Sequence, residues 1–398
     1  MEGWKTDKLM NIISSIATGK LDANAMVPNG QYRFYTCAKD FSYIDSFAFD
    51  DEALLISGNG EYVGYIHYYK GKFNAYQRVY VLTGFKINVK YLEYYLNKFL
   101  PIRINRESSQ NNIPYIRLST LSKMNISYPV SFSEQKMIAS MISKVDEAIA
   151  SVQNSIAAAE RLKKSLIQNL LTGKMKSDGT FRTADEFYID EKFGKVPIGW
   201  EVKSIDEISD FVQYGLNISS SDNGQIPMLR MNNIVNGEMS DSPLVYVNLN
   251  YQLLQQYKLE AGDILFNRTN SMDLVGKVGV FRLMGKYVFA SYLIRVRVSK
   301  ENNPYYINLA LNSYPIQCSL RSKATPAVSQ ANINSKSLRH TQIFKPKKKD
   351  EQDLVMSKIE EVEHVILQKN DKVKKLEQLK KSLMQNLLTG KIKIDKDI

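Results

Sequence analysis

Histidine and cysteine are scarce in this sequence, which limits the chemistry it can perform by itself. Its 398 residues include three histidines: His67 and His340 are isolated from any cluster of carboxylates in the sequence, and His364 lies in a segment predicted to be a long helix. There is no HExxH motif and no CxxC pair, so the sequence predicts neither a zinc site nor a histidine-based catalytic centre. Two cysteines, Cys37 and Cys318, are too few for a disulfide framework. We expect both to be buried thiols in a reducing cytoplasm.

Long apolar runs and nucleotide-binding loops are also missing. No window approaches the roughly 18 consecutive apolar residues of a membrane span, and the start, MEGWKTDKLM, lacks the apolar core of a signal peptide. The stretch SGNGEYVG at 57–64 lacks the lysine of a phosphate-binding loop and predicts a hairpin turn. An adenosylmethionine loop, an Asn/Asp-Pro-Pro-aromatic stretch and a nuclease-type acid–lysine pattern are absent too. Together these absences favour a binding protein, with no membrane partner, over an enzyme.

Positive charge and tyrosine are abundant instead. The formal net charge is +12, the isoelectric point is near 9.3, and there are 24 tyrosines, many of them close to Lys or Arg. A net positive charge of this size indicates a polyanionic partner, most often nucleic acid. Tyrosine also suits half-buried strands, so the aromatic content adds little to that inference.

One twelve-residue segment occurs twice. KKSLIQNLLTGK spans residues 163–174 and KKSLMQNLLTGK spans 380–391, an offset of 217 positions. The same offset pairs Glu134-Gln135 with Glu351-Gln352 without a gap, so the copy extends from 134–174 to 351–391. We infer that the chain contains an internal duplication.

Each copy has the apolar periodicity of a coiled-coil helix. Apolar residues of the first copy recur in steps of four and three from Ile138 to Ala159, and the second copy repeats them with Lys369 at one apolar position. A phase shift then moves the apolar stripe to Leu162 and Leu379. The glycine of each TGK ending predicts a left-handed C-terminal cap. The predicted helix seam comprises Ile142, Val145, Ile149, Leu166, Leu170, Ile359, Val362, Ile366, Leu383 and Leu387.

Such helices, about 55 Å long at 1.5 Å per residue, are not expected to leave an apolar stripe exposed. We expect the two copies to pair within one chain, with Leu166 and Leu170 facing Leu383 and Leu387 or their antiparallel neighbours. Two separate homodimerising helices are the alternative.

The regions outside the helices are rich in short β-prone runs, such as QRVYVLTG and LIRVRVSK, separated by Gly, Asn and Asp turns. Each region opens on Gly-Trp, at Gly3-Trp4 and Gly199-Trp200, and each ends with a proline just before its helix. The predicted fold is α+β, with two globular mixed α/β domains, two long helices and a pseudo-two-fold internal repeat. The predicted boundaries are 1–132 for the first globular domain, 133–174 for the first long helix, 175–198 for a linker, 199–348 for the second globular domain, 349–391 for the second long helix and 392–398 for a tail.

Candidate DNA-contacting residues follow from side-chain chemistry. Arg, Lys, Asn and Gln hydrogen-bond to purine edges, and Arg, Lys and Tyr hold phosphates. The first domain interleaves basic and aromatic residues, and the second has polar loops such as MLRMNNI, FNRTNS and LRSKATPAVSQANI. For each candidate, a solvated charge or a turn residue is the alternative. The predicted contacts are Tyr32, Arg33, Lys70, Lys72, Tyr76, Arg78, Arg230, Asn232, Asn233, Asn267, Arg268, Asn270 and Lys323.

The sequence resembles the specificity subunit of type I restriction-modification systems. The resemblance rests on the matched helix endings, the Glu-Gln pair that opens each helix, the VPIGWE entry to the second domain, and the SGNG and GKFNAYQRVYVL stretches of the first domain. The resemblance covers essentially the whole chain. It implies that the globular domains are target recognition domains, each reading one half of a bipartite DNA site. It also implies that the helices form an antiparallel coiled coil that separates those domains and sets the spacer. The short lead before Gly3-Trp4 departs from the family pattern, and seven residues after Lys391 stand in place of an N-terminal extension.

The resemblance implies the partners as well. Two adenine-N6 methyltransferase subunits would dock on the helices, and translocating restriction subunits would then complete the enzyme on double-stranded DNA. S-adenosylmethionine, ATP and magnesium would belong to those subunits, and this chain would be a non-catalytic cytoplasmic subunit without a metal. Two alternatives stay open: a protein-only coiled-coil scaffold, and a self-contained DNA-modifying enzyme with an unrecognised active site.

Overall fold

The computed structural model describes residues 3–107, 115–326 and 330–392. The chain divides into two compact units, the first comprising Met1–Ser155 with Lys369–Ile398 and the second comprising Ile156–Gln368. Each unit contains strands and helices, so the predicted fold class with two mixed α/β domains is confirmed. Within the described ranges, no helix combines the length and the apolarity needed to cross a membrane.

The first unit is built on a six-stranded sheet in the order β2-β7-β5-β6-β3-β4, in which only β3 and β6 are parallel neighbours. Helix α2 packs on one face of this sheet, where its tyrosines and leucines join strand residues in the main core. The elements are β1 (Trp4–Lys8), α1 (Leu9–Ile12), β2 (Ser15–Thr18), β3 (Tyr32–Tyr35), β4 (Ser42–Ile44), β5 (Phe49–Ser57), β6 (Ile66–Ala75), β7 (Val79–Thr83), α2 (Val89–Glu107), α3 (Leu118–Ser122), β8 (Asn125–Pro129) and the long helix α4 (Phe132–Leu171), which continues into the second unit.

The second unit has a different sheet arrangement. A six-stranded sheet runs β12-β21-β17-β19-β15-β14, and two three-stranded sheets run β16-β13-β20 and β18-β23-β22. The elements are β9 (Phe187–Asp190), β10 (Gly194–Pro197), β11 (Trp200–Ser204), β12 (Ser209–Tyr214), β13 (Ile226–Leu229), β14 (Ile234–Val235), β15 (Glu238–Met239), β16 (Val245–Val247), α5 (Tyr251–Tyr257), β17 (Ile264–Asn267), β18 (Thr269–Asn270), β19 (Val278–Val280), β20 (Val288–Phe289), β21 (Leu293–Val298), α6 (Pro304–Leu311), α7 (Tyr314–Ser322), β22 (Thr325–Pro326), β23 (Ala331–Asn332), α8 (Ser335–Arg339), β24 (Gln342–Pro346) and the long helix α9 (Lys349–Leu387), whose end lies in the first unit.

The same strand pair leads into each long helix. β1 pairs antiparallel with β8, so that Trp4 lies opposite Pro129, and β11 pairs antiparallel with β24, so that Trp200 lies opposite Pro346. The Gly-Trp opening and the closing proline of each region are therefore adjacent in space. The internal duplication thus includes the junction between domain and helix as well as the helix itself.

A buried glutamine fixes the start of each long helix. The side-chain amide of Gln135 donates to the carbonyl of the proline that ends β8 at 2.8 Å, and its Oε1 accepts the Asn88 N–H at 2.7 Å. Gln352 repeats both bonds, to the proline of β24 at 3.0 Å and from the Asn303 N–H at 2.8 Å. Because Asn88 and Asn303 immediately precede α2 and α6, each glutamine joins a strand, a domain helix and a long helix.

The long helices pair in an antiparallel sense within each unit. Asp146 forms an ion pair with Lys380 at 2.6 Å in the first unit, and Lys163 forms one with Glu363 at 2.8 Å in the second. As the position along α4 rises from 146 to 163, the partner position on α9 falls from 380 to 363. The two ion pairs are equivalent under the offset of 217, because Asp146 corresponds to Glu363 and Lys163 corresponds to Lys380. The helix pairing therefore has the symmetry of the internal repeat.

The predicted seam residues lie on the inner side of the helices. The buried ones are Ile142, Val145, Leu170, Ile359, Ile366 and Leu387, and the half-buried ones are Ile149, Leu166, Val362 and Leu383. Leu383 and Leu387 pack in the core of the first unit, whereas Leu166 and Leu170 pack in the core of the second. Each pair therefore meets its antiparallel neighbours and not the other pair.

The predicted phase shift of the stripe through Leu162 and Leu379 is wrong. Leu162 is 52% exposed and Leu379 is 47% exposed, so both lie outside the seam. The inner positions near each helix end are instead filled by pairs such as Leu170-Leu171, which pack against a globular domain as well as the other helix. The original four-three spacing continues from Ala159 through the half-buried Lys163 to Leu166 and Leu170, so there is no shift and Leu162 lies outside the stripe.

Several local predictions have clear outcomes. The glycine caps are confirmed, because Gly173 and Gly390 have φ angles of 65° and 66°. The prediction of buried thiols is wrong: Cys318 is exposed and Cys37 is half-buried, and both are free. The segment predicted as a linker at 175–198 contains the β9–β10 hairpin. Residues 393–398 of the predicted tail lie outside the described residues.

We predict that Gln352→Ala lowers the free energy of unfolding by about 3 kcal/mol, because a buried N–H and a buried C=O both lose their partner. Chemical denaturation of the full chain measures this. Gln378→Ala, at an exposed position of the same helix, is the control and should change stability by less than about 0.5 kcal/mol. Equal effects of the two substitutions would contradict a fixing role for Gln352.

Candidate nucleic-acid interface

Arg33 of β3 is held between two aromatic rings. Its guanidinium carbon lies 4.2 Å from the centre of the Phe41 ring and 4.6 Å from that of the Tyr69 ring, and Nη1 donates to the Tyr35 hydroxyl at 3.5 Å. Cation–π contacts of this kind orient the planar guanidinium and leave other N–H donors available. Because Arg33 is only half-buried, it can present those donors to a ligand in a fixed orientation.

Two more predicted residues lie near this aromatic cluster. Tyr76 packs against the apolar cluster that contains Tyr35, and the Cys37 thiol donates to the carbonyl of Arg78 at 3.6 Å. Tyr76 is half-buried and Arg78 is exposed in the turn after β6. The fold therefore brings Arg33 and Tyr76 to one side of the sheet of the first unit, with the backbone of Arg78 nearby.

Tyr32 and Lys72 lie on the other face of that sheet. Lys72 Nζ is 4.6 Å from the centre of the Phe47 ring, and the Tyr32 and Phe47 ring centres are 5.1 Å apart. Arg33 pairs with Phe73 of β6, and since side chains alternate along a strand, Lys72 points to the opposite face from Arg33. The exposed Lys70 shares the Lys72 face by the same alternation. The predicted set thus divides into two groups.

His67 is a packing residue beside the first group. Its ring lies 5.0 Å from that of Tyr35 and 4.9 Å from that of Tyr65, and its Nε2 bonds to the Ala38 carbonyl at 3.0 Å. Burial lowers the pKa of His67 below its ordinary value, so the imidazole is neutral at pH 7. A neutral ring of this kind supports the aromatic cluster without adding charge to it.

In the second unit, Arg268 belongs to a small polar group beside the β18-β23-β22 sheet, and Asn270 lies in β18, where its Oδ1 accepts the Ser271 N–H at 2.9 Å. The Arg268 guanidinium carbon lies 4.8 Å from the centre of the Tyr214 ring, and its Nη2 donates to Asn332 Oδ1 at 3.4 Å. Asn332 in turn donates to the Thr269 hydroxyl at 3.1 Å. This group repeats the chemistry of the Arg33 cluster, an arginine oriented by an aromatic ring, on an unrelated sheet.

Lys323 lies elsewhere in the second unit, beside Thr341. Its Nζ donates to the Thr341 hydroxyl at 3.3 Å. Burial, and to a lesser extent the nearby charge of Lys192, lower the pKa of Lys323. The structure shows no contact between Lys323 and the described residues of the Arg268 group.

Asn233 and Asn267 leave the candidate set, because both are fully buried and bond to their own loops. The Asn233 amide donates to the carbonyls of Ser240 and Pro243 at 3.0 and 2.9 Å, and the Asn267 amide donates to the carbonyl of Leu274 at 3.2 Å. Side chains so placed hold turns and do not reach a base edge.

Arg230 and Asn232 flank Asn233 and stay candidates. The Arg230 N–H donates to Asn233 Oδ1 at 2.9 Å, which fixes the turn, and its guanidinium is half-buried. Asn232 is exposed at the same turn. The structure brings these two together but shows no contact between them and the described residues of the Arg268 group.

Sequence reasoning missed the aromatic residues that orient the arginines. Phe41 and Tyr69 in the first unit, and Tyr214 in the second, are such residues. A signal exists for the first two, because aromatic residues recur every few positions through 32–49 and 62–76. Tyr214 is distant from Arg268 in sequence, and only the fold brings the two together. The described residues contain no group of three or more His, Cys, Asp or Glu side chains that could hold a metal ion.

The chain is similar to known proteins in both sequence and fold. The family model for the type I restriction modification DNA specificity domain matches residues 1–161 and 197–380. The chain is 40% identical to the type I restriction enzyme EcoDI specificity subunit of Escherichia coli over 180 residues, which are 44% of this chain and 39% of that protein. It is 24% identical to the EcoKI specificity subunit of Escherichia coli over 282 residues, 69% of this chain and 57% of that protein. The matches therefore span less than two thirds of either relative.

The fold also has a counterpart among solved structures. The S subunit of a type I restriction-modification system from M. genitalium superposes with a TM-score of 0.56 at 16% identity, covering 96% of both chains. At this identity the likeness concerns the fold alone. Both halves of the internal repeat therefore match one family, and the whole chain has the fold of a known member.

We predict that Asn233→Ala lowers the free energy of unfolding by about 2 kcal/mol, because three partly buried backbone groups lose their side-chain partner. Thermal or chemical denaturation measures the change. Asn232→Ala, at the neighbouring exposed position, should alter stability by less than about 0.5 kcal/mol. A stable Asn233→Ala protein would return this residue to the set of candidate DNA contacts.

Proposed function

The chain belongs to the type I restriction-modification DNA specificity family, and on that basis we propose that it is the subunit that recognises the DNA target sequence. In this proposal each unit reads one half of a bipartite double-stranded site. The observation that carries the proposal is that one helix occurs in two closely matched copies, each attached to a globular domain with a different sheet topology. Matched helices with different domains suit a common partner and two different DNA half-sites.

The oriented arginines are the proposed base-reading residues. A guanidinium can donate two parallel hydrogen bonds to the N7 and O6 atoms of guanine, and its specificity depends on a fixed orientation. Phe41 and Tyr69 supply that orientation for Arg33, and Tyr214 supplies it for Arg268. Asn332 is the amide bonded to Arg268, and amides suit adenine.

The long helices are the proposed spacer between the half-sites. They have 40 and 39 residues, which corresponds to about 60 Å at 1.5 Å per residue. Readers of successive major grooves on one side of B-DNA must be separated by multiples of about 34 Å. A paired helix resists bending, as a flexible linker would not, so it can define a fixed gap.

The outer faces of the same helices are the proposed docking surfaces for two methyltransferase subunits. Leu162 and Leu379 are equivalent under the repeat, and both are about half exposed. Lys164 and Lys381 are also equivalent and exposed. Core packing does not explain why exposed positions match, whereas a partner that binds both copies does.

Catalysis is assigned in this proposal to the partner subunits, which would bind S-adenosylmethionine, ATP and magnesium. The translocating restriction subunits would join the complex of this chain with the methyltransferases. A cytoplasmic site of action follows from this role, because the DNA and the partner subunits are located there.

We predict that Arg33→Ala and Arg268→Ala each relax recognition of a different half-site. Loss of a bidentate contact to one base weakens discrimination by about 1–3 kcal/mol. Sequencing of methylated positions in cells that carry each variant with its methyltransferase partner would measure this. Arg106→Ala, which removes an exposed charge from α2, is the control and should leave both half-sites unchanged.

Two outcomes would contradict the DNA-reading proposal. If all three variants broaden the target equally, the arginines act only through net charge. If the complex has no salt-dependent affinity for duplex DNA in gel-shift titrations, the chain is a protein scaffold instead.

We predict that Leu162→Glu and Leu379→Glu each remove one methyltransferase subunit, and that the double variant removes both. A charge buried in an apolar contact without a partner destabilises that contact strongly. Native mass spectrometry of the complex counts the bound subunits. Leu367→Glu is the control, because Leu367 is 63% exposed on α9 and its repeat equivalent is Ala150. Two bound subunits in the double variant would place the docking surface elsewhere.

A further inference from the structure

The segment after α4 forms one wall of a pocket in the second unit. The β9–β10 hairpin, β24 and the first turn of α7 surround a solvent-open cavity of about 690 Å³. Four phenylalanine rings line it, those of Phe181, Phe187, Phe193 and Phe344. Ligand pockets in proteins are typically of this size, roughly 300–1,000 Å³, and have mostly apolar walls. Neither the proposed DNA contacts nor the helix repeat accounts for this pocket.

The apolar surface of the pocket continues onto the hairpin. Phe187 and Ile189 point to the same side of β9, and Ile189 lies directly opposite Lys195, which lines the pocket. Ile189 is 75% exposed and Phe181 is 62% exposed. Exposed apolar side chains that extend a pocket are typical of protein-binding surfaces, whereas surfaces that contact DNA are more polar. The composition therefore favours a protein ligand over a nucleic acid.

The rim of the pocket is positively charged. Lys174, Lys192 and Lys195 line it and are exposed, and none of the described lining residues is acidic. The Lys192 ammonium donates to a neutral partner, the side-chain oxygen of Gln342, at 3.0 Å. The nearby charge of Lys192 also lowers the pKa of Lys323, so positive charges are crowded on this side of the unit. Such a rim attracts carboxylates.

Two acidic side chains of the same segment, those of Glu186 and Asp190, are already engaged. Glu186 forms an ion pair with Lys176 at 2.7 Å, and Asp190 accepts the backbone N–H groups of Lys192 and Phe193, both at 2.9 Å. The lining residue Arg182 differs from the lysines, because it faces inward. It donates to the carbonyl of Gly173 at 2.8 Å and to Glu351 at 3.0 Å, and so fixes the wall.

We propose that this pocket, lined by Phe181, Phe187 and Lys195 among others, binds an acidic segment of a protein partner. An aromatic side chain of that segment fills the phenylalanine-lined cavity, and carboxylates on either side of it pair with the three lysines. An aromatic anchor in an apolar pocket surrounded by a charged rim is the arrangement that concentrates binding energy at protein interfaces.

The test uses the full-length chain and a fluorescein-labelled peptide, acetyl-DEDFEEFDED-amide, with binding measured by fluorescence anisotropy. Saturable binding is expected. A peptide with serine in place of both phenylalanines tests the anchor, and one with lysine in place of every acidic residue tests the charge. Each should bind at least about tenfold more weakly. Equal binding of the serine peptide would mean general attraction of acid to a basic protein and would overturn the proposal.

Two variants at exposed positions test the location. Phe181→Ala and Lys195→Glu should each weaken binding of the acidic phenylalanine peptide by about tenfold or more. Met284→Ala and Lys286→Glu are the matched controls, because both positions are exposed in the same unit and neither lines the pocket. Loss of binding in the first pair alone supports the proposal, and equal loss in both pairs overturns it.

A competition experiment with duplex DNA distinguishes a pocket that binds protein from one that binds nucleic acid. If a random-sequence duplex displaces the peptide, and Lys195→Glu lowers duplex affinity more than Lys286→Glu does, the pocket contacts DNA and the proposal is overturned. Retention of the peptide in the presence of the duplex supports it. Because the peptide titration does not depend on sequence-specific DNA reading, its result is independent of the function proposed above.

Discussion

The pairing of α4 with α9 is the interaction on which both units depend. Ile142 and Leu387 complete the core of the first unit, and Leu170 and Ile359 complete that of the second, although the two helices are 217 positions apart in sequence. α4 begins in the first unit and ends in the second, whereas α9 does the reverse. Neither core is therefore complete until both helices are present. This arrangement favours cooperative folding of the whole chain over independent folding of each domain, because each domain lacks part of its apolar contacts without the distant helix.

The connection between domain and helix is constrained more tightly than the domain itself. Gln135 and Gln352 make the same two bonds, and the tryptophan–proline strand pair recurs in the same register. Beyond this junction the sheets differ in strand number and order. A fixed junction allows the domain surface to vary without disturbing the helix pairing, since the bonds that position the helix involve only the junction. The two arginine groups illustrate this freedom: Arg33 and Arg268 share a cation–π arrangement but lie on unrelated sheets.

The parts of this architecture that repeat could be predicted from the sequence, and the parts that depend on tertiary packing could not. The helices, their glycine caps and their mutual pairing follow from apolar periodicity. They follow also from the internal duplication, because the two copies can be compared with each other position by position. Asn233 and Asn267 have the composition of exposed polar turns, yet both side chains are buried and bond to carbonyl groups of their own loops. The exposure of Leu162 was missed for another reason: the four-three spacing of inner positions continues through the half-buried Lys163, so the apolar Leu162 beside it lies outside the seam. Local sequence specifies a turn or a stripe, but it does not specify what later packs on it.

A departure from the internal symmetry favours the pairing of α4 with α9 over the pairing of two copies of the same helix. Lys369 occupies the position that Val152 holds in the first copy, and its ammonium donates to the Ser155 hydroxyl at 2.7 Å. The residue equivalent to Ser155 in α9 is Lys372. If α9 paired with α9 of a second chain in the same register, Lys369 would meet Lys372 twice, and each such contact opposes association by roughly 1 kcal/mol at about 4 Å even in water. A dimer of α4 helices would avoid this repulsion but would leave both α9 helices without a partner. The duplicated helices are thus no longer interchangeable, and the polar contact at one seam position selects the pairing of unlike copies over that of like copies.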